Sequence, residues 1–143
     1  MSNEIETLLP HRAPFLFVDE ILSADQETIT ARHIFGEGEF FFQGHFPQYP
    51  VVPGVILVET MAQSGGAGLR KLGILGDGAL FFLATVDKVK FRRQVRPGEE
   101  VRSEIKNLRV SARMIKQSGR AFVGEELAAE AEWMCLVSSE SDT

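Results

Sequence analysis

Between Gly44 and Gly66 the chain passes from a loop that cannot be regular to a helix that cannot be exposed. The loop reads Gly-His-Phe-Pro-Gln-Tyr-Pro-Val-Val-Pro-Gly. Its prolines, Pro47, Pro50 and Pro53, fix φ and remove amide donors, and each pushes the residue before it toward extended geometry. From Val55 to Leu69 a helix is expected, with Pro53 and Gly54 at its start and apolar residues pointing in nearly every direction. A helix that is hydrophobic all round is a buried one. It nevertheless carries Glu59, with Gln63 one turn further on the same face. His45 lies just upstream, on the stiff loop. A histidine there and an acid on a buried helix, near a helix N-terminus, form a candidate acid–base site.

The rest of the chain must cover that helix. Its 143 residues suit a single domain, 1–143, with 44% hydrophobic and 24% charged residues. The net charge of -5 argues against nucleic acid as a partner. Cys135 is the single cysteine, so no internal disulfide forms, which suits a reducing compartment. The N-terminus reads as lacking a signal peptide. The longest apolar run is broken by Glu59 and Gln63, so no membrane span is expected. The expectation is a cytoplasmic protein.

Asn3 to Leu8 reads as one short helical turn before Pro10. Phe15 to Leu22 and Thr28 to Ile34 read as two strands joined by a short turn. Gly36 to Phe42 is a loop or short helix whose three phenylalanines need burial. Gly65, Gly66 and Gly68 weaken an exposed helix but let a sheet approach a buried one, and Gly73, Gly76 and Gly78 end it. Leu80 to Val86 reads as a buried strand, after which Lys88 to Arg92 alternates, with Val89 and Phe91 on one side and the cations on the other. Val101 to Val110 and Met114 to Val123 are further strands. In the last strand Leu127, Ala129, Ala131, Trp133, Cys135 and Val137 share a face, with Glu126, Glu130 and Glu132 opposite. The tail 138–143 is expected to be frayed. One long helix and five or six mainly antiparallel strands imply an α+β domain, a curved sheet wrapped around one central helix.

Three blocks of sequence then carry a resemblance. Leu9-Pro10-His11-Arg12-Ala13-Pro14-Phe15-Leu16, Gly44-His45-Phe46-Pro47 with Pro50, Pro53-Gly54 and Val58-Glu59, and Phe91-Arg92-Arg93 with Val95-Arg96-Pro97-Gly98 resemble the 3-hydroxyacyl-[acyl carrier protein] dehydratases of type II fatty acid synthesis. The likeness runs from about Leu8 to Val137. It implies the hotdog fold, a homodimer as the minimal active unit and often a trimer of dimers. It also implies that His45 of one subunit faces Glu59 of the other. Three positions depart from the family pattern: Gln48 replaces a small residue, Ala13 an aromatic, and Gln94 a proline.

Dehydration of a 3-hydroxyacyl thioester removes a weakly acidic C2 proton and expels hydroxide from C3. A neutral His45 suits the base and a carboxyl at Glu59, kept protonated by an apolar setting, suits the acid, while the residues alone leave open which group handles which proton. The Gly54 amide, at the helix start, is the candidate donor to the thioester oxygen, worth roughly 3 kcal/mol by analogy with oxyanion holes. Gln63 is placed to hold Glu59. Phe46, Val51, Phe81 and Phe82 are candidate acyl-chain contacts, and each equally suits ordinary core. His11 is expected to bond near the N-terminal turn and His33 to lie on a strand. The three histidines lack metal-ligand spacing, so no metal or other cofactor is expected; the substrate travels on the carrier's phosphopantetheine arm. Lys88, Lys90, Arg92, Arg93 and Arg96, with Arg102, form either a solvated strand face or a docking patch for acidic acyl carrier protein. Two other functional readings compete, a hotdog acyl thioesterase and a non-catalytic carrier-protein binding module. Added isomerase activity is disfavoured, because bifunctional relatives typically carry Asp where Glu59 stands.

Overall fold

The structure, a computed structural model, describes residues 3–138. Helix α1 (Asn3–Leu8) is followed by strands β1 (Glu20–Ala24) and β2 (Thr28–Ile34), a 3₁₀ turn (Phe40–Gln43) and helix α2 (Gly54–Lys71). Strands β3 (Leu80–Phe91), β4 (Glu100–Val110), β5 (Met114–Val123) and β6 (Glu126–Ser138) complete it. All six strands form one sheet in the order β1-β2-β4-β5-β6-β3, and every pair is antiparallel. The sheet packs on α2, giving the α+β hotdog arrangement expected from the sequence.

Helix α2 is buried from Ile56 to Leu69 except at Glu59, while Val55 at its first turn is 73% exposed. Its apolar neighbours include Phe17, Ile29, Phe35, Ile105, Ile115 and Trp133. The glycines allow close approach. A Cβ at Gly68 would lie 2.5 Å from Ile29 Cγ2, and one at Gly66 would enter the Phe81 ring. The helix stops in a Schellman motif: Gly73 adopts φ +77°, its N–H donates to the Arg70 carbonyl, and that of Ile74 donates to Leu69.

Two strand expectations need correction. Phe15–Leu22 is not a strand from its start; pairing begins only at Glu20. The backbone of Phe15 and Phe17 bonds instead to the Gln63 side chain, so a helix residue takes the place of a neighbouring strand. The other correction concerns Leu80–Val86 and Lys88–Arg92, which belong to one strand, β3, ending at Phe91. A bulge between Asp87 and Lys90, with Lys88 at φ 54°, breaks the alternation. Nor is Leu80–Val86 buried in the single chain. β3 is an edge strand, and Phe82, Leu83, Val86 and Phe91 are all exposed. Of the three consecutive phenylalanines, Phe41 and Phe42 are buried and Phe40 is exposed. β6 runs to Ser138, so that residue is strand and not part of a frayed tail; the rest of that expectation, 139–143, lies outside the described residues.

Candidate active site

Glu59 sits on the buried face of α2 with its side chain 20% exposed. Gln63 Nε2 donates to Glu59 Oε2 at 3.0 Å and to the Phe15 carbonyl at 3.1 Å, while Gln63 Oε1 accepts from the Phe17 N–H at 2.8 Å. Gln63 is fully buried. It therefore ties the carboxyl to the segment before β1. Burial raises the Glu59 carboxyl above the ordinary glutamate range, and the Gln63 hydrogen bond opposes this only in part. Burial, with the Glu59 charge nearby, also pushes the Cys135 thiol up to about 12, so that cysteine is chemically quiet.

His45 is half-buried. Its ring Nδ1 lies 3.1 Å from the Val51 carbonyl. A carbonyl only accepts, so Nδ1 carries a proton; in the neutral ring this tautomer leaves Nε2 as the lone-pair nitrogen. The loop that bears it is held at several points. Val52 N–H donates to the Val95 carbonyl, Tyr49 N–H to Phe46, and Tyr49 Oη to Gln94 Oε1 at 2.8 Å. Gln94, one of the departures from the family pattern, thus anchors the loop through a bond proline cannot make. Phe46, at φ 54°, lies in the left-handed region and is 61% exposed.

Gly54 is the first residue of α2, where the amide has no intrahelical acceptor. A Cβ there would lie 2.7 Å from the Phe91 ring, so Phe91 rests against the helix start. Val51 is buried and Phe82 exposed. Within the chain His45 bonds Val51 and Glu59 bonds Gln63; among the described residues no hydrogen bond or ion pair joins the two presumed catalytic groups.

Sequence reasoning misplaced His11. Its Nε2 stands 3.6 Å from Glu59 Oε2, and its buried Nδ1 has no hydrogen-bond partner. Burial first, and then Arg12, lower its pKa, keeping it neutral. The nearby proline-bounded block contained no periodicity that points to α2, so the contact had no sequence signal. Phe91 was read only as a strand residue.

The cationic run is largely paired. Lys88 meets Glu132, Arg92 meets Glu130, Arg93 meets Glu99 and Glu126, and Arg102 meets Glu104. Cross-strand partners on the outer face alternate in sign, from Glu104 through Arg120 and Glu130 to Lys90. Arg96 is different. Its Nε donates to the Pro50 carbonyl, and its guanidinium lies 4.4 Å from the Tyr49 ring centroid, on the His45 loop. Among the described residues no cluster of His, Cys, Asp and Glu has the makings of a metal site, and no helix is long and apolar enough to cross a membrane.

Fold and site together define a hotdog-fold protein whose central helix carries a protonatable carboxyl. The chain belongs to the FabA-like family, whose domain matches residues 9–132. It is 43% identical over 137 residues to the 3-hydroxyacyl-[acyl-carrier-protein] dehydratase FabZ of Pelotomaculum thermopropionicum, covering 94% of this chain and 96% of that protein. To the same-named protein of Moorella thermoacetica it is 44% identical over 137 residues, covering 94% of each. Among solved structures, the ApeI:P dehydratase heterocomplex of Xenorhabdus doucetiae superposes with a TM-score of 0.80 at 16% identity, over 96% of this chain and 92% of that one. A putative thioesterase from Ralstonia eutropha superposes at 0.61 with 17% identity, over 82% and 83%. These two likenesses concern the fold alone.

Proposed function

We infer that this chain dehydrates (3R)-3-hydroxyacyl-[acyl carrier protein] to the trans-2-enoyl form in fatty acid biosynthesis, as a hydro-lyase. Family membership and the named relatives support the reaction. The observation that carries the site is Glu59, a half-buried carboxyl raised by burial and held in place by Gln63. His45 Nε2 takes the C2 proton. The Glu59 carboxyl gives its proton to the C3 hydroxyl, which leaves as water, and the C2 electron pair closes the double bond. The charge that builds on the thioester oxygen is met by the Gly54 amide at the helix N-terminus. Phe46, Val51 and Phe82 receive the acyl chain beside that centre.

The working unit is a homodimer in which His45 of one subunit meets Glu59 of the other. Two features support it: the missing contact between these groups within the chain, and the exposed apolar side chains along the unpaired edge of β3. Three such dimers make the larger assembly this reading allows. No cofactor is required; the substrate arrives on the phosphopantetheine of acyl carrier protein. Lys90 and Arg96, which make no direct ion pair among the described residues, lead the docking surface, while Lys88, Arg92 and Arg93 exchange their surface carboxylates for the carrier's. The cytoplasm is the compartment this chemistry assigns.

The test is turnover of a crotonyl or 3-hydroxybutyryl thioester, followed by the conjugated enoyl absorbance. His45→Ala and Glu59→Gln should each lower kcat by about 10²–10⁴ while remaining folded. Release of free thiol without any enoyl change would replace this reading with a thioesterase.

A further inference from the structure

His33 lies on the inner face of β2, 7% exposed, with the rings of Phe17 and Phe35 against it. Its Nδ1 is 2.9 Å from Asp19 Oδ1 and its Nε2 is 3.0 Å from Glu39 Oε2. Two carboxylates facing the two ring nitrogens need two N–H donors, and only the imidazolium has both. Asp19 also accepts from the Ile34 N–H and has Arg32 Nη1 at 4.0 Å. Glu39 accepts in addition only from the Gly36 N–H. From β4 the residue opposite His33 is the buried Val101; its neighbours Glu100 and Arg102 pair with Arg32 and Glu104. Asp19 and Glu39 are therefore the charged groups that face the ring.

Glu39 starts the 3₁₀ turn that leads into the catalytic loop. Its carbonyl accepts from the Phe42 N–H, and the Phe41 carbonyl accepts the N–H of both Gly44 and His45. The Phe41 ring packs on Phe17 and Phe35, the same rings that enclose His33. His33, Glu39, the turn and His45 thus form one short connected path.

We propose that protonated His33 is a positioning residue for the catalytic loop: it holds Glu39 and the 3₁₀ turn, and its deprotonation adds a second, higher limb to the alkaline fall of turnover that loss of the Glu59 proton begins. The proposal rests on the reading that the His45 loop carries the base. Neutral His33 keeps one donor for two carboxylates. Asp19 retains Ile34 and Arg32, so the loss falls on Glu39 and the turn. Burial opposes the charge on His33, but the bonds to Asp19 and Glu39 outweigh it and raise the pKa to about 9.

The experiment compares pH profiles of kcat for wild type, His33→Lys and Glu39→Gln, with uncatalysed thioester hydrolysis subtracted. Lysine starts from about 10.4 against about 6.5 for histidine and would meet the same burial and the same two carboxylates, so the higher limb of His33→Lys should move to higher pH. Glu39→Gln removes one supporting charge and should move the limb down. An unchanged limb in both folded variants overturns the proposal. In wild type, NMR titration of the His33 ring provides a reading independent of folding of the variants. Its midpoint should coincide with the higher limb, and a midpoint below pH 8 overturns the proposal. If the base were elsewhere, His45→Ala would keep turnover while the His33 titration still stood, so the two ideas fail separately.

Discussion

At Gln63 one carboxamide joins three parts of the molecule: the Glu59 carboxyl, the carbonyl of Phe15 and the N–H of Phe17. Gln63→Ala leaves two backbone groups without partners in a buried place and opens a small cavity. It should destabilise the fold by about 3 kcal/mol, read from the urea midpoint, and lower kcat as Glu59 loses its hold. A loss below about 0.5 kcal/mol would show that water or a neighbour replaces the amide. The spacing of Glu59 and Gln63 placed both on one helix face, so that pair was legible in the sequence. The second role of Gln63 was not, because its partners lie 46 and 48 residues earlier. His33 shows the same limit. Strand periodicity put it on β2, but Asp19 and Glu39 reach it through folding alone. Its linkage has a definite sign. With the folded pKa raised to about 9, His33 contributes its full stability below its ordinary value of 6.5 and loses it as pH rises through about 9.

At the level of elements, α2 and the sheet depend on glycine where they touch. Gly68 faces the stiff, fully buried Ile29, whose Cγ2 and Cδ1 would lie 2.5 and 2.7 Å from an added Cβ. Alanine improves intrinsic helix propensity by about 1 kcal/mol, yet overpacking a closed core costs about 1–3 kcal/mol. Gly68→Ala should therefore lower the thermal midpoint; a higher midpoint would mean that the sheet yields at little cost. The buried helix, β2 and the β4–β6 meander followed from apolar periodicity and turn residues. The failures have physical causes. Phe15–Asp19 has a strand's composition, but most of its backbone partners come from a side chain and a turn. β3 has a buried strand's composition on an exposed edge, a mismatch that the proposed dimer accounts for by covering that edge.

For the molecule as a whole, that exposed edge and the separation of His45 from Glu59 point to the same explanation. In the proposed dimer a single chain carries half of each of two sites. The His-Phe-Pro loop and the helical glutamate were both legible, but their pairing across subunits came from the family resemblance alone, because spacing along one chain says nothing about a neighbour's chain. A site shared across a two-fold interface makes a quantitative claim. In a heterodimer of His45→Ala and Glu59→Gln subunits, one site receives both substitutions and the other receives neither. The decisive measurement is turnover after the two variants, each nearly inactive, are unfolded together in equal amounts and refolded. Half the dimers are then mixed, and half of their sites are intact, so activity should return to about a quarter of the wild-type value. Mixed dimers that form, as shown by differential tagging, yet remain as inactive as either parent would contradict the shared acid–base site.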